Sequence, residues 1–170
     1  MEQAEVIKHL TDLFMQIGAR IMSEPLAHSE EDLTASQLLA LRFILLHPEC
    51  SLSTLAEGLE ISNPAATKVM DRLERKGLVR RVQATDRRQI KATITELGQS
   101  VGEEHLRLQM ESYAGLINSM TQPERDSLQL GLEAMVRAAV RLYPNWEQFC
   151  LHCGVGCEHD DCVLHKYRTV

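Results

Sequence analysis

Apolar positions recur at Val6, Leu10, Leu13, Ile17 and Ile21, in steps of four, three, four and four. That spacing predicts an opening helix with one apolar face. Pro25 to Asp32 is polar, acidic and broken by proline, and reads as a loop. A second helix is predicted from Thr34 to His47, with Leu38, Leu41, Ile44 and Leu45 inward and Pro48 as its stop. Ser51 to Glu60 has the pattern of a short helix carrying Leu52, Leu55, Ala56 and Leu59. Ser62 is a good N-cap and Pro64 falls in a first turn, so a further helix opens there. It runs to Lys76, buries Ala66, Val69, Met70 and Leu73, and ends at Gly77.

Two short β-like runs follow, Leu78 to Gln83 and Gln89 to Thr95. In the second, Ile90, Ala92 and Ile94 alternate with Lys91, Thr93 and Thr95. Ala84 to Arg88 forms a charged tip between them. Helix, turn, helix and basic hairpin together are the plan of a winged helix. Leu106, Met110, Tyr113, Ile117 and Met120 then mark one long helix, and Leu128, Leu132, Met135, Ala139 and Leu142 a second. Thr121 with Glu124 is a capping box that opens the second. Such matched stripes fit a helical hairpin within the chain or packing against a second subunit. The first helix also needs a partner, which favours a homodimer.

The expected fold is therefore mainly α with a small β-wing. An N-terminal dimerisation helix and loop span 1–33, and a winged helix-turn-helix DNA-binding domain spans 34–97. C-terminal dimerisation helices span 98–143, and a cysteine-rich tail spans 144–170.

Charge sharpens this picture. The chain carries a formal net charge of −6. Residues 68–91 nonetheless hold nine of its 18 Lys and Arg, opposed there only by Asp71, Glu74 and Asp86. An acidic protein with one strongly basic stretch suits a polyanionic partner at that stretch. A helix that enters the major groove must show small polar or basic side chains to base edges. Ser62, Asn63, Ala65, Thr67, Lys68 and Arg72 meet that need, and the hairpin adds Asp86, Arg87 and Arg88. Long cations such as Arg87 and Arg88 suit a narrow minor groove. The expected partner is double-stranded DNA. No apolar run is long enough to span a membrane, and the acidic start, Met1 to Glu5, does not resemble a signal peptide. The expectation is a cytoplasmic protein.

Several stretches together resemble the MarR family of transcriptional regulators. They are Leu33 to Leu41, Leu55 to Leu59, Val69 to Arg81, and above all Asp86-Arg87-Arg88 followed by Ile94-Thr95-Glu96-Leu97-Gly98. The resemblance covers residues 5–142. It implies a homodimer joined by its N- and C-terminal helices on a pseudopalindromic operator. It implies that Arg88 enters the minor groove and that Asp86 holds a basic residue of the recognition region by a salt bridge. It also implies repression, with release by a small-molecule ligand bound between the DNA-binding and dimerisation regions. Met15, Met22, Phe43 and Met110 are candidate lining for such a pocket, or plain core.

The tail departs from the family pattern. Cys150, Cys153, Cys157 and Cys162 crowd together at spacings of two, three and four intervening residues, with Gly154 and Gly156 among them. Cysteines this dense in a cytoplasmic protein are rarely disulfides. Four thiolates side by side need a cation. An iron–sulfur cluster, with 4Fe–4S one of the forms four cysteines hold, is slightly favoured by the crowded all-cysteine set. A tetrahedral Zn²⁺ is the alternative, with His152, His159 or His165 able to replace a cysteine. Metal-free redox-active thiols are the third reading.

Enzymatic readings fare badly. Cys150 to Cys153 has the spacing of a thiol–disulfide motif, but it follows a long helix with no βαβ pattern. No phosphate-cradling glycine loop or nucleophile triad is evident. A winged helix used only for protein contacts is the other competitor, and the basic helix and wing argue against it. Cys50 reads as a small buried apolar residue. His9, His28, His47 and His105 read as structural.

Overall fold

The computed structural model describes residues 2–23, 33–83 and 90–143. The elements run α1 (Gln3–Ser23), α2 (Ala35–Leu46), α3 (Leu52–Gly58), α4 (Asn63–Arg75), β1 (Val79–Gln83), β2 (Ile90–Ile94), α5 (Glu96–Asn118) and α6 (Gln122–Leu142). This is the expected mainly α architecture with a small wing. The expected loop at 25–32, the hairpin tip with Asp86, Arg87 and Arg88, and the tail with Cys150, Cys153, Cys157 and Cys162 lie outside the described residues.

Side-chain caps set most helix starts. Thr34 and Gln37 form a reciprocal capping box, so α2 begins one residue later than its pattern suggests. Ser51 accepts from Thr54 N–H at 3.0 Å and Ser62 from Ala65 N–H at 3.3 Å. Helix α3 is shorter than expected and ends at Gly58. The chain then turns through Glu60 at φ 53°, and Ile61 N–H bonds back to Ala56 C=O at 2.9 Å. After α4, Gly77 adopts φ +71°, a conformation that costs other L-residues strain.

The core lies between α2, α3, α4 and the wing. Leu41, Ile44, Leu55, Met70, Leu73, Leu78 and Val79 are its largest fully buried side chains. Helix α2 is buried on more than the one face expected of it, because Gln37, Ala40 and Phe43 are buried alongside Leu38, Leu41 and Ile44. Phe43 belongs to this core. A Cβ on Gly58 would fall 2.0 Å from its ring, so α3 lies directly across it.

Strands β1 and β2 pair antiparallel, with Val79 opposite Ile94 and Gln83 opposite Ile90. The expected alternation in β2 holds only at its base. Ala92 is buried and Ile94 half-buried, but Ile90, at the outer end of the paired strands, is 43% exposed.

Helices α1 and α6 leave their apolar stripes uncovered within one chain. Leu10 is 59% exposed and Leu142 71%, and no residue of α6 is buried. Of the α1 stripe, only Ile21 is buried. Exposed apolar surface of this extent is a mark of an interaction face.

Candidate nucleic-acid interface

Helix α4 divides cleanly. Ala66, Val69, Met70 and Leu73 are buried, as expected. Asn63, Thr67, Lys68 and Arg72 are exposed, and so is the cap residue Ser62. Ala65, expected on the outer face, is half-buried at its edge. Helical periodicity brings Pro64, Asp71 and Arg75 onto the same outer face as Lys68. Arg75 was legible as part of the basic run but not as a member of this face. Its Nε donates to Asp71 C=O at 3.3 Å, which lays the side chain along the helix.

Two hydroxyls on this face are already oriented. Thr67 Oγ1 donates to Asn63 C=O at 2.9 Å, which leaves its lone pairs outward. Ser62 Oγ accepts from Ala65 N–H and keeps its own proton to donate. Asn63, with an amide that both donates and accepts, stands beside them in the first turn. The face thus offers short polar groups at the helix start and long cations behind, the order suited to base edges and phosphates.

The wing is anchored at both strands. Arg81 on β1 forms ion pairs with Asp71 and Glu74 of α4, each at 2.5 Å. Lys91 on β2 pairs with Glu49 at 2.9 Å, and Ala92 N–H donates to Cys50 C=O at 2.8 Å. The basic stretch therefore includes two internal braces that a count of charges does not reveal. Arg80 is exposed on β1.

Cys50 is buried, as expected, and burial pushes its thiol up to about 11. A thiol so rarely ionised is a poor nucleophile. His105 is buried on α5, where desolvation and then the Arg42 charge push its pKa below the usual histidine value. Beside it, Arg42 Nη1 on α2 donates to Gln109 Oε1 at 3.2 Å. Among the described residues no group of three or more His, Cys, Asp and Glu is arranged to hold a metal, and no helix is long and apolar enough to cross a membrane.

A helix-turn-helix with an outward polar and basic second helix, braced against a two-stranded wing, defines a winged-helix regulator of the DNA-binding class. Comparison with known proteins agrees. The MarR family model matches residues 33–90. The HTH-type transcriptional repressor MdtR of Bacillus subtilis (strain 168) is 33% identical over 116 residues, covering 68% of this chain and 73% of that protein. RV1404 from Mycobacterium tuberculosis superposes with a TM-score of 0.72 at 26% identity, over 81% of this chain and 95% of that one. Streptococcus pneumoniae FabT, solved in complex with DNA, gives 0.68 at 22% identity over 84% and 100%. The chain belongs to the MarR family. It is a transcriptional regulator of that type rather than an enzyme.

Proposed function

We propose that the protein is a homodimeric, cytoplasmic repressor that holds a pseudopalindromic operator through α4 and the wing of each subunit. The carrying observation is the outer face of α4, where Asn63, Thr67, Lys68 and Arg72 stand exposed on a helix whose opposite face is locked in the core. MdtR, described as a repressor, supports the sign of regulation. A second copy of the chain covers α1 and α6, where Leu10, Leu13, Ile17, Leu132, Met135 and Leu142 lie open. Asp86, Arg87 and Arg88 complete the interface, with Arg88 in the minor groove. A small-molecule inducer bound between the DNA-binding and dimerisation regions would release the operator.

The test is duplex binding across a salt series. Phosphate contacts release counterions, so affinity should fall about 10³-fold or more between roughly 50 and 200 mM salt. A shallow dependence points instead to a protein-interaction module.

A second reading concerns the signal, and its support is the sequence pattern Cys150, Cys153, Cys157 and Cys162. These four thiolates hold an iron–sulfur cluster that adjusts DNA affinity in response to redox state or iron supply. The tail follows α6 directly, so a change there acts at the proposed dimer face. Iron and sulfide are to be measured on protein purified without oxygen. About four of each per chain, with an absorption band near ~400 nm, is the expected result. About one zinc and no colour makes the tail a zinc site. Neither metal makes it a set of free thiols.

A further inference from the structure

Not every cation of the basic stretch is directed at a partner. Arg81 makes three donations inside the protein. Its backbone N–H donates to Glu74 Oε1 at 3.1 Å, its Nη1 to Glu74 Oε2 at 2.5 Å, and its Nη2 to Asp71 Oδ1 at 2.5 Å. The side chain is only 25% exposed, whereas Asp71 is 50% exposed. Asp71 sits on the outer face of α4 with Lys68 and Arg75. A bare carboxylate there would meet a phosphate backbone with like charge.

We infer that Arg81 is a positioning residue for DNA recognition. It braces strand β1 of the wing against α4 and cancels the two carboxylates of that helix, and it makes no phosphate contact. The planar guanidinium is suited to the task, because its fork presents donors to two carboxylates at once. A lysine presents one point charge and cannot span both acids in the same way. Lys91 pairs at 2.9 Å with Glu49 in the connection between α2 and α3, so the second strand is tied to the domain as well. The two described strands of the wing are thereby tied to the rest of the domain. This inference rests on the DNA-binding reading.

The experiment compares Arg81→Gln, Arg81→Lys and Arg72→Gln with the parent protein on a duplex that the parent has enriched from a random pool. Affinity is measured over a salt series, with thermal unfolding recorded for each variant. Arg72→Gln, the loss of an outward cation, should lower the salt slope by about one. Arg81→Gln should weaken binding about tenfold with the slope unchanged. Arg81→Lys, which keeps a charge, should fall between the parent and Arg81→Gln, again with the slope unchanged. The triple variant Asp71→Asn, Glu74→Gln, Arg81→Gln should recover part of the loss, because no bare carboxylate remains. A slope reduced by about one in Arg81→Gln but kept in Arg81→Lys overturns the inference and makes Arg81 a phosphate contact. Unaltered affinity in Arg81→Gln, or no recovery in the triple variant, overturns it as well. Failure of the parent protein itself to bind any duplex overturns the DNA reading, an outcome distinct from any behaviour of the Arg81 variants.

Discussion

Thr95 Oγ1 donates to the C=O of Gly77 at 2.7 Å. The same Oγ1 lies 3.0 Å from the carbonyl oxygen of Leu78, and it accepts from Gly98 N–H at 3.0 Å. One hydroxyl therefore caps α5 and ties it to the turn that ends the recognition helix. Thr95→Val keeps the shape and loses all of these bonds. It should cost about 1–2 kcal/mol, in the range of a lost cap, whereas Thr95→Ser should retain most of the stability. Urea midpoints check this, and equal midpoints for the valine and serine variants would contradict it.

Two glycines near this joint are needed for different reasons. A Cβ at Gly98 would lie 1.9 Å from Leu78 O, a backbone atom that cannot step aside. At Gly77 a Cβ meets nothing within 4 Å, but φ is +71°. Gly77→Ala should cost about 1–2 kcal/mol of backbone strain. Gly98→Ala should cost more, at or beyond the roughly 1–3 kcal/mol of ordinary overpacking, because α5 must move off the Leu78 backbone. Thermal unfolding of both variants ranks them. The reverse order would refute the assignment.

His105 makes stability depend on pH. Burial and Arg42 lower its folded-state pKa from 6.5, so the unfolded chain binds the proton more readily. Its contribution is therefore full above pH 6.5 and is lost as the pH falls through the folded value. His105→Gln, neutral at every pH, should flatten the decline in urea midpoint between neutral and mildly acidic pH. An unchanged pH profile in that variant would remove His105 as the cause.

The open apolar stripes carry the prediction for assembly. Leu10→Glu and Leu132→Glu place a charge at positions 59% and 38% exposed in one chain. The parent should sediment as a dimer, and each variant should keep its helical content and sediment as a monomer. Monomeric parent protein, or dimeric variants, would show that these helices are covered in another way.

Much of this was legible in the sequence because local signals and burial agree there. The face of α4 followed from Ala66, Val69, Met70 and Leu73, and its start from Ser62 and Pro64. Helix α2 was less legible. Its place between α3, α4 and α5 buries Gln37, Ala40 and Phe43 as well, and periodicity reports one face, not encirclement. The stripes of α1 and α6 were visible, but the pattern alone does not distinguish a partner within the chain from one outside it. The Arg81 brace was hidden because charge counts treat every arginine alike, and only tertiary contact brings Asp71 and Glu74 to β1. For Gly98 the family motif pointed to the position, and the reason, close contact with Leu78 O, needed the fold.

In the proposed dimer, paired α4 helices read DNA. Enrichment of binding duplexes from a random pool by the full-length protein tests it most directly. The expected product is a pseudopalindrome with half-sites about one helical turn, ~10 base pairs, apart. Lys68→Ala and Arg72→Ala should weaken binding to it. A pool that yields no preferred duplex, or one bound equally well by both variants, would contradict the claim.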